Sequence, residues 1–107
     1  MSRVSIETGI EEYLVSLRVE RGLAANTIAA YTRDLGQYVA FLKGREPDED
    51  LIGEFIGEMR QQGLADSTVA RKIASIRGLH RFLVAEGMRE TDPTALIDSP
   101  RRPDPFP

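Results

Sequence analysis

Apolar residues recur at three- and four-residue steps in four stretches of this chain. Each stretch is bounded by residues that start or stop helices. Over residues 5–21 the period is kept by Ile6, Ile10, Tyr13, Leu14 and Leu17, with Ser5 as candidate N-cap and Gly22 as the stop. Over 26–43 it is kept by Ile28, Tyr31, Leu35, Tyr38, Val39 and Leu42, with Asn26 as candidate cap and Gly44 at the end. Over 48–62 Leu51, Ile52, Phe55, Ile56 and Met59 face one way, acids fill the first turn and Gly63 follows. Over 67–86 Val69, Ile73, Ile76, His80 and Leu83 form one line, with Asp66 or Ser67 as cap and Gly87 as the stop. The segment Asp92-Pro93-Thr94-Ala95-Leu96-Ile97 predicts one further helical turn, capped by Asp92. No stretch alternates with period two, so the expected fold class is all-α, a four-helix bundle with a short C-terminal helical turn.

The chain has 107 residues, enough for one domain around one core. Its last nine residues, Ser-Pro-Arg-Arg-Pro-Asp-Pro-Phe-Pro, include four prolines and predict an extended linker. The expected division is a helical domain over 1–98 and a Pro-rich linker over 99–107, leading to a further domain that this sequence does not contain.

Composition removes several functions. With no cysteine there is no disulfide, Cys-ligated metal site or Cys nucleophile, and the usage fits a cytoplasmic protein. No apolar run approaches the roughly 20 residues of a membrane span. There is no Gly-rich phosphate loop, no His-Glu-x-x-His motif and a single histidine, His80, which lies on an apolar stripe and reads as core. Tyr13, Tyr31 and Tyr38 also fall on apolar stripes, so none is a good nucleophile. The expectation is therefore no catalytic residue, no metal, no cofactor and no small-molecule ligand.

The net charge of -3 counts against nucleic acid, whose binding domains are usually basic. Its distribution counts the other way. Six acids and no base fall between Glu46 and Glu58, whereas four bases and no acid fall between Ser67 and Ala85. On the fourth predicted helix Ser67, Arg71, Ala74, Ser75 and Gly78 project opposite the apolar line, flanked by Lys72, Arg77 and Arg81. A face of small residues and cations can approach a duplex closely, and free N–H groups near Ser67 and Thr68 can receive a phosphate. The second predicted helix offers Ala29, Ala30, Arg33, Asp34 and Gln37, with Asn26 and Thr27 at its start. The alternative is a helical protein-interaction module that uses the acidic third helix.

Two phrases show the same grammar. Gly22-Leu23-Ala24 leads into Asn26-Thr27, Tyr31 and Arg33-Asp34-Leu35. Gly63-Leu64-Ala65 leads into Ser67-Thr68-Val69-Ala70-Arg71. Together with Ile10-Glu11-Glu12-Tyr13-Leu14, Ile76-Arg77-Gly78-Leu79-His80-Arg81-Phe82-Leu83, Thr91-Asp92-Pro93-Thr94 and Ser99-Pro100-Arg101, this ordered series resembles the N-terminal, SAM-like core-binding domain of Xer-type tyrosine recombinases. The Asp-Pro and Ser-Pro-Arg tail is nearer the XerD-like than the XerC-like branch. The resemblance implies a four-helix bundle that covers one face of a double-stranded recombination half-site, with its second and fourth helices on the DNA. It implies a separate catalytic domain with a tyrosine nucleophile, no metal or nucleotide cofactor, and four protomers on two sites. The roles implied are DNA integration or chromosome dimer resolution, tied to chromosome partition and cell division. Carried onto this sequence, the DNA contacts would be Asn26, Thr27, Ala30, Arg33, Ser67, Thr68, Arg71, Lys72, Ser75, Arg77 and Arg81, with Arg71 reaching a base edge. The acidic third helix would face away.

Overall fold

A computed structural model of the chain describes residues 4–97. The linker expected over 99–107 and the boundary at 98 lie outside the described residues. The described residues form four helices in chain order: α1 (Ile6–Val19), α2 (Ala25–Leu42), α3 (Glu49–Gln61) and α4 (Asp66–Ala85). Strands are absent among them, as the lack of period-two alternation predicts.

The helix ends follow local chemistry, with two corrections. Ser5 caps α1, its hydroxyl accepting from the Thr8 N–H, and Asp48 caps α3, its carboxylate accepting from the Leu51 N–H at 2.8 Å. The second and fourth helices begin earlier than their expected caps. Ala24 and Ala65 occupy the two N-cap positions, extended in backbone and with no side chain to bond. Asn26 and Ser67 are therefore second residues of their helices. The polar residue following each Leu-Ala pair had suggested a cap; the chain instead turns helical at the alanine-rich step before it. Lys43 takes a left-handed conformation, φ 51°, ahead of Gly44 at φ 79°, so α2 ends on two such residues.

The core is one cluster drawn from all four helices, including Tyr13, Leu17, Leu35, Tyr38, Ile52, Phe55, Ile73, Leu79 and Leu83. The two central helices, α2 and α4, pack on each other and on both α1 and α3, which flank them. Gly78 lets α4 approach α1 closely: a Cβ there would overlap the Tyr13 hydroxyl. His80 is buried as expected, 2 % exposed, with its Nε2 2.8 Å from the Tyr38 hydroxyl. Beyond α4, Arg89 is buried and its Nε donates to Glu46 at 2.7 Å, tying the α2–α3 connection to the chain after α4. Glu46 is thus a structural partner, where the sequence only grouped it with the acids that run to Glu58. Residues 93–96 form a hydrogen-bonded turn held by the Asp92 carboxylate on the Thr94 N–H and hydroxyl, in place of the expected helical turn.

Candidate nucleic-acid interface

The two central helices bring two of the predicted basic residues, Arg71 and Lys72, to one seam. Asp34 on α2 meets Arg71 on α4, and Tyr38 on α2 meets His80 on α4. These pairings advance along both helices in the same sense, so the N-termini of α2 and α4 lie at one end of the seam. Both termini are the ones without side-chain caps, so the first-turn N–H groups there are not taken up by a capping side chain.

The exposed side of α4 is narrower and differently composed than the sequence suggested. Ser67, Ala74 and Arg81 are exposed, and Thr68, Ala70, Arg71, Arg77 and Gly78 are half-buried. Ala70 and Ala74 thus stand between Arg71 and Arg77 around the helix, with Arg81 in line with them toward the C-terminus. Ala70 was missed by sequence reasoning, though it lies three residues after Ser67 and four before Ala74, the spacing of one helix face.

Two expected contact residues are turned inward. Ser75 is fully buried, its hydroxyl donating to the Lys72 carbonyl at 2.8 Å. Lys72 is 7 % exposed, and its ammonium donates to Asp34 at 2.9 Å and to Gln37. The apolar line of α4 is wider than five residues. Leu79 is wholly buried, and Lys72 and Ser75 lie on its side of the helix. These side chains serve the seam, and neither presents a polar group outward.

Asp34 is the centre of that seam. It is 1 % exposed, and three charge-assisted hydrogen bonds satisfy it: Arg71 Nε to Oδ2 at 2.9 Å, Arg71 Nη2 to Oδ1 at 2.9 Å, and Lys72 Nζ to Oδ1. Burial pushes its carboxyl up, but the bonds from Arg71 and Lys72 outweigh burial and hold it below the usual carboxylate range. The same bond raises the Arg71 guanidinium above its ordinary value. Sequence reading had grouped Asp34 with Ala29, Ala30, Arg33 and Gln37, residues the second helix would offer to a partner. A signal was available: Asp34 precedes Tyr38 by four residues, within about 40° of it at 100° per residue, on the edge of the apolar stripe.

Arg71 keeps 40 % of its side chain exposed, and its Nη1 has no partner among the described residues. Arg33, Asn26 and Thr27 are exposed on α2, and Ala30 is half-buried. Arg77 lies on the α3 side of α4, beside Ile52, Ile56 and Thr94, with its Nε buried and unpartnered among the described residues. The acids of α3, Glu49, Asp50, Glu54 and Glu58, are exposed. Among the described residues no group of three His, Asp or Glu side chains could hold a metal, and no helix is long and apolar enough to cross a membrane.

Residues 10–87 match the family described as phage integrase, N-terminal SAM-like domain. The chain is 40% identical over 102 residues to proteins named tyrosine recombinase XerD from Staphylococcus aureus strains Mu50 and N315, covering 90% of this chain. It is 38% identical over 102 residues to the protein of that name from Staphylococcus haemolyticus. The chain spans about a third of the length of these curated relatives, 35% in each case. No solved structure matches it.

Proposed function

We propose, from the premise that the chain belongs to the phage integrase N-terminal SAM-like domain family, that it is the DNA-binding domain of a site-specific tyrosine recombinase and lays the α2–α4 seam along one face of a duplex half-site. The observation that carries this reading is the exposed side of α4. Arg71, Arg77 and Arg81 border a floor of Ala70 and Ala74, with Arg33 on the neighbouring α2. Small side chains let a helix approach a groove, and the cations around them meet phosphates. The uncapped N-termini of α2 and α4 support it, since first-turn N–H groups at a helix start bind anions.

The contacts divide by chemistry. Arg33 and Arg81 are exposed point charges for phosphates, with Asn26, Thr27, Ser67 and Thr68 around the helix starts. Arg77 reaches a phosphate from the α3 side, and Ala30 borders the seam. Arg71, whose guanidinium is held on two nitrogens by Asp34, reads a base edge. Lys72 and Ser75 act from inside the seam. The whole protein would complete the clamp with a catalytic domain, act as protomers on paired sites, and work in the cytoplasm on chromosomal or integrating DNA.

The test is the salt dependence of duplex binding, followed by fluorescence anisotropy. Removing one phosphate contact, by Arg33→Ala or Arg81→Ala, is expected to flatten the slope of log K against log salt by about one unit each. Lys72→Met is expected to leave the slope alone and lower stability, because it takes a partner from buried Asp34. Slopes that do not change in the two arginine variants would contradict the interface. Binding that is absent at low salt, with a basic protein captured by α3 in its place, would favour the interaction-module alternative.

A further inference from the structure

The Asp34–Arg71 pair does more than close the seam. A guanidinium has two edges that can bond bidentately: the side edge of Nε and Nη2, and the end edge of Nη1 and Nη2. Asp34 takes the side edge with two bonds of 2.9 Å each. The end edge remains, on a side chain 40 % exposed beside the small residues Ala70 and Ala74. That edge matches the paired acceptors O6 and N7 of guanine in the major groove. Asp34 is itself anchored, because buried Lys72 bonds the same carboxylate and is braced by Gln37. Two helices therefore fix the plane of one half-buried arginine.

We propose that Asp34 is a specificity-determining positioning residue, which locks the side edge of Arg71 so that its end edge reads guanine and does not grip whichever phosphate is nearest. The inference rests on the DNA-binding reading above. The negative charge of Asp34 also offsets the pull of Arg71 and Lys72 on the backbone, so it trades general affinity for discrimination.

The experiment incubates the 107-residue chain with a pool of random-sequence duplexes and sequences the bound fraction. The wild type is expected to enrich guanine at one position, and Arg71→Gln to lose that enrichment. Asp34→Asn should lose it too, while its affinity for an unselected duplex stays level or rises about two- to fivefold as a negative charge is removed. Placed on top of Arg71→Gln, Asp34→Asn should change base preference no further. A purely structural role would lower the melting temperature without moving base preference through Arg71.

Retained guanine enrichment in Asp34→Asn overturns the proposal. A wild type that binds duplexes without preferring guanine overturns it and leaves the DNA-binding reading standing, whereas a wild type that binds no duplex overturns both. Should Asp34→Asn fail to fold, the Arg71 side-chain Nε–H resonance of the wild type decides. It should stay protected and hydrogen-bonded when the selected duplex is added, and its release on binding would overturn the proposal.

Discussion

His80 and Tyr38 meet in the interior at 2.8 Å, and burial of the imidazole makes stability fall in acid. The other ring nitrogen, Nδ1, is buried and has no hydrogen-bond partner among the described residues. Burial lowers the His80 pKa to about 4, against smaller opposing pulls from Asp92 and Glu46. The unfolded chain takes up this proton near pH 6.5. As pH falls, the unfolded state therefore binds it first. Stability is full above about 6.5 and declines toward 4, by roughly 3 kcal/mol across that window. Urea unfolding at pH 7 and pH 5 should show the decline in the wild type and a shallower one in His80→Gln. Equal declines would show that the imidazole does not carry it. The placement of His80 in the core was legible in the sequence, because it sits among Val69, Ile73, Ile76 and Leu83 at helical steps. Its partner was not, because 42 positions separate it from Tyr38 and only the crossing of α2 and α4 joins them.

At the scale of the helices, α1 and α3 begin on capping side chains and α2 and α4 do not. Ser5 and Asp48 each satisfy a first-turn N–H, and Ala24 and Ala65 satisfy none. Ala65→Ser should supply the missing cap and raise stability by about 0.5–1 kcal/mol. The same hydroxyl would occupy N–H groups that a phosphate would use, so duplex affinity should fall as the melting temperature rises. A parallel rise in both would remove the helix start from the interface. Gly78 marks a different constraint, because α4 can approach α1 only where no Cβ meets the Tyr13 hydroxyl. Tyr13 is itself held against Phe82, ring centroids 5.5 Å apart, and has little room to retreat. Gly78→Ala should cost roughly 1–3 kcal/mol by denaturant unfolding, despite the better helix propensity of alanine. The four helices and their order were legible from apolar spacing, and their C-terminal stops from Gly22, Gly44, Gly63 and Gly87. The N-termini of α2 and α4 were misplaced because a polar residue after Leu-Ala reads as a cap, and nothing local says that an alanine can hold that position.

For the molecule as a whole, arrangement decides what net charge cannot. The chain carries -3, yet Arg71 and Lys72 of α4 meet α2 at a seam and the acids of α3 are exposed on a flanking helix. The family and the four-helix bundle could be read from the ordered series of short phrases. The inward turn of Lys72 and Ser75 could not, since it depends on how far the core of α4 extends around the helix. Nor could the Asp34 junction, where one buried carboxylate draws two cations across the seam. The seam as a duplex-binding surface is the central claim. It is tested most directly by titrating the isotope-labelled chain with a short duplex and following backbone amide shifts at low and moderate salt. Shifts clustered at residues 26–33 and 67–81 that fade as salt rises are the expected result. Shifts confined to α3, or none at low salt, would contradict it.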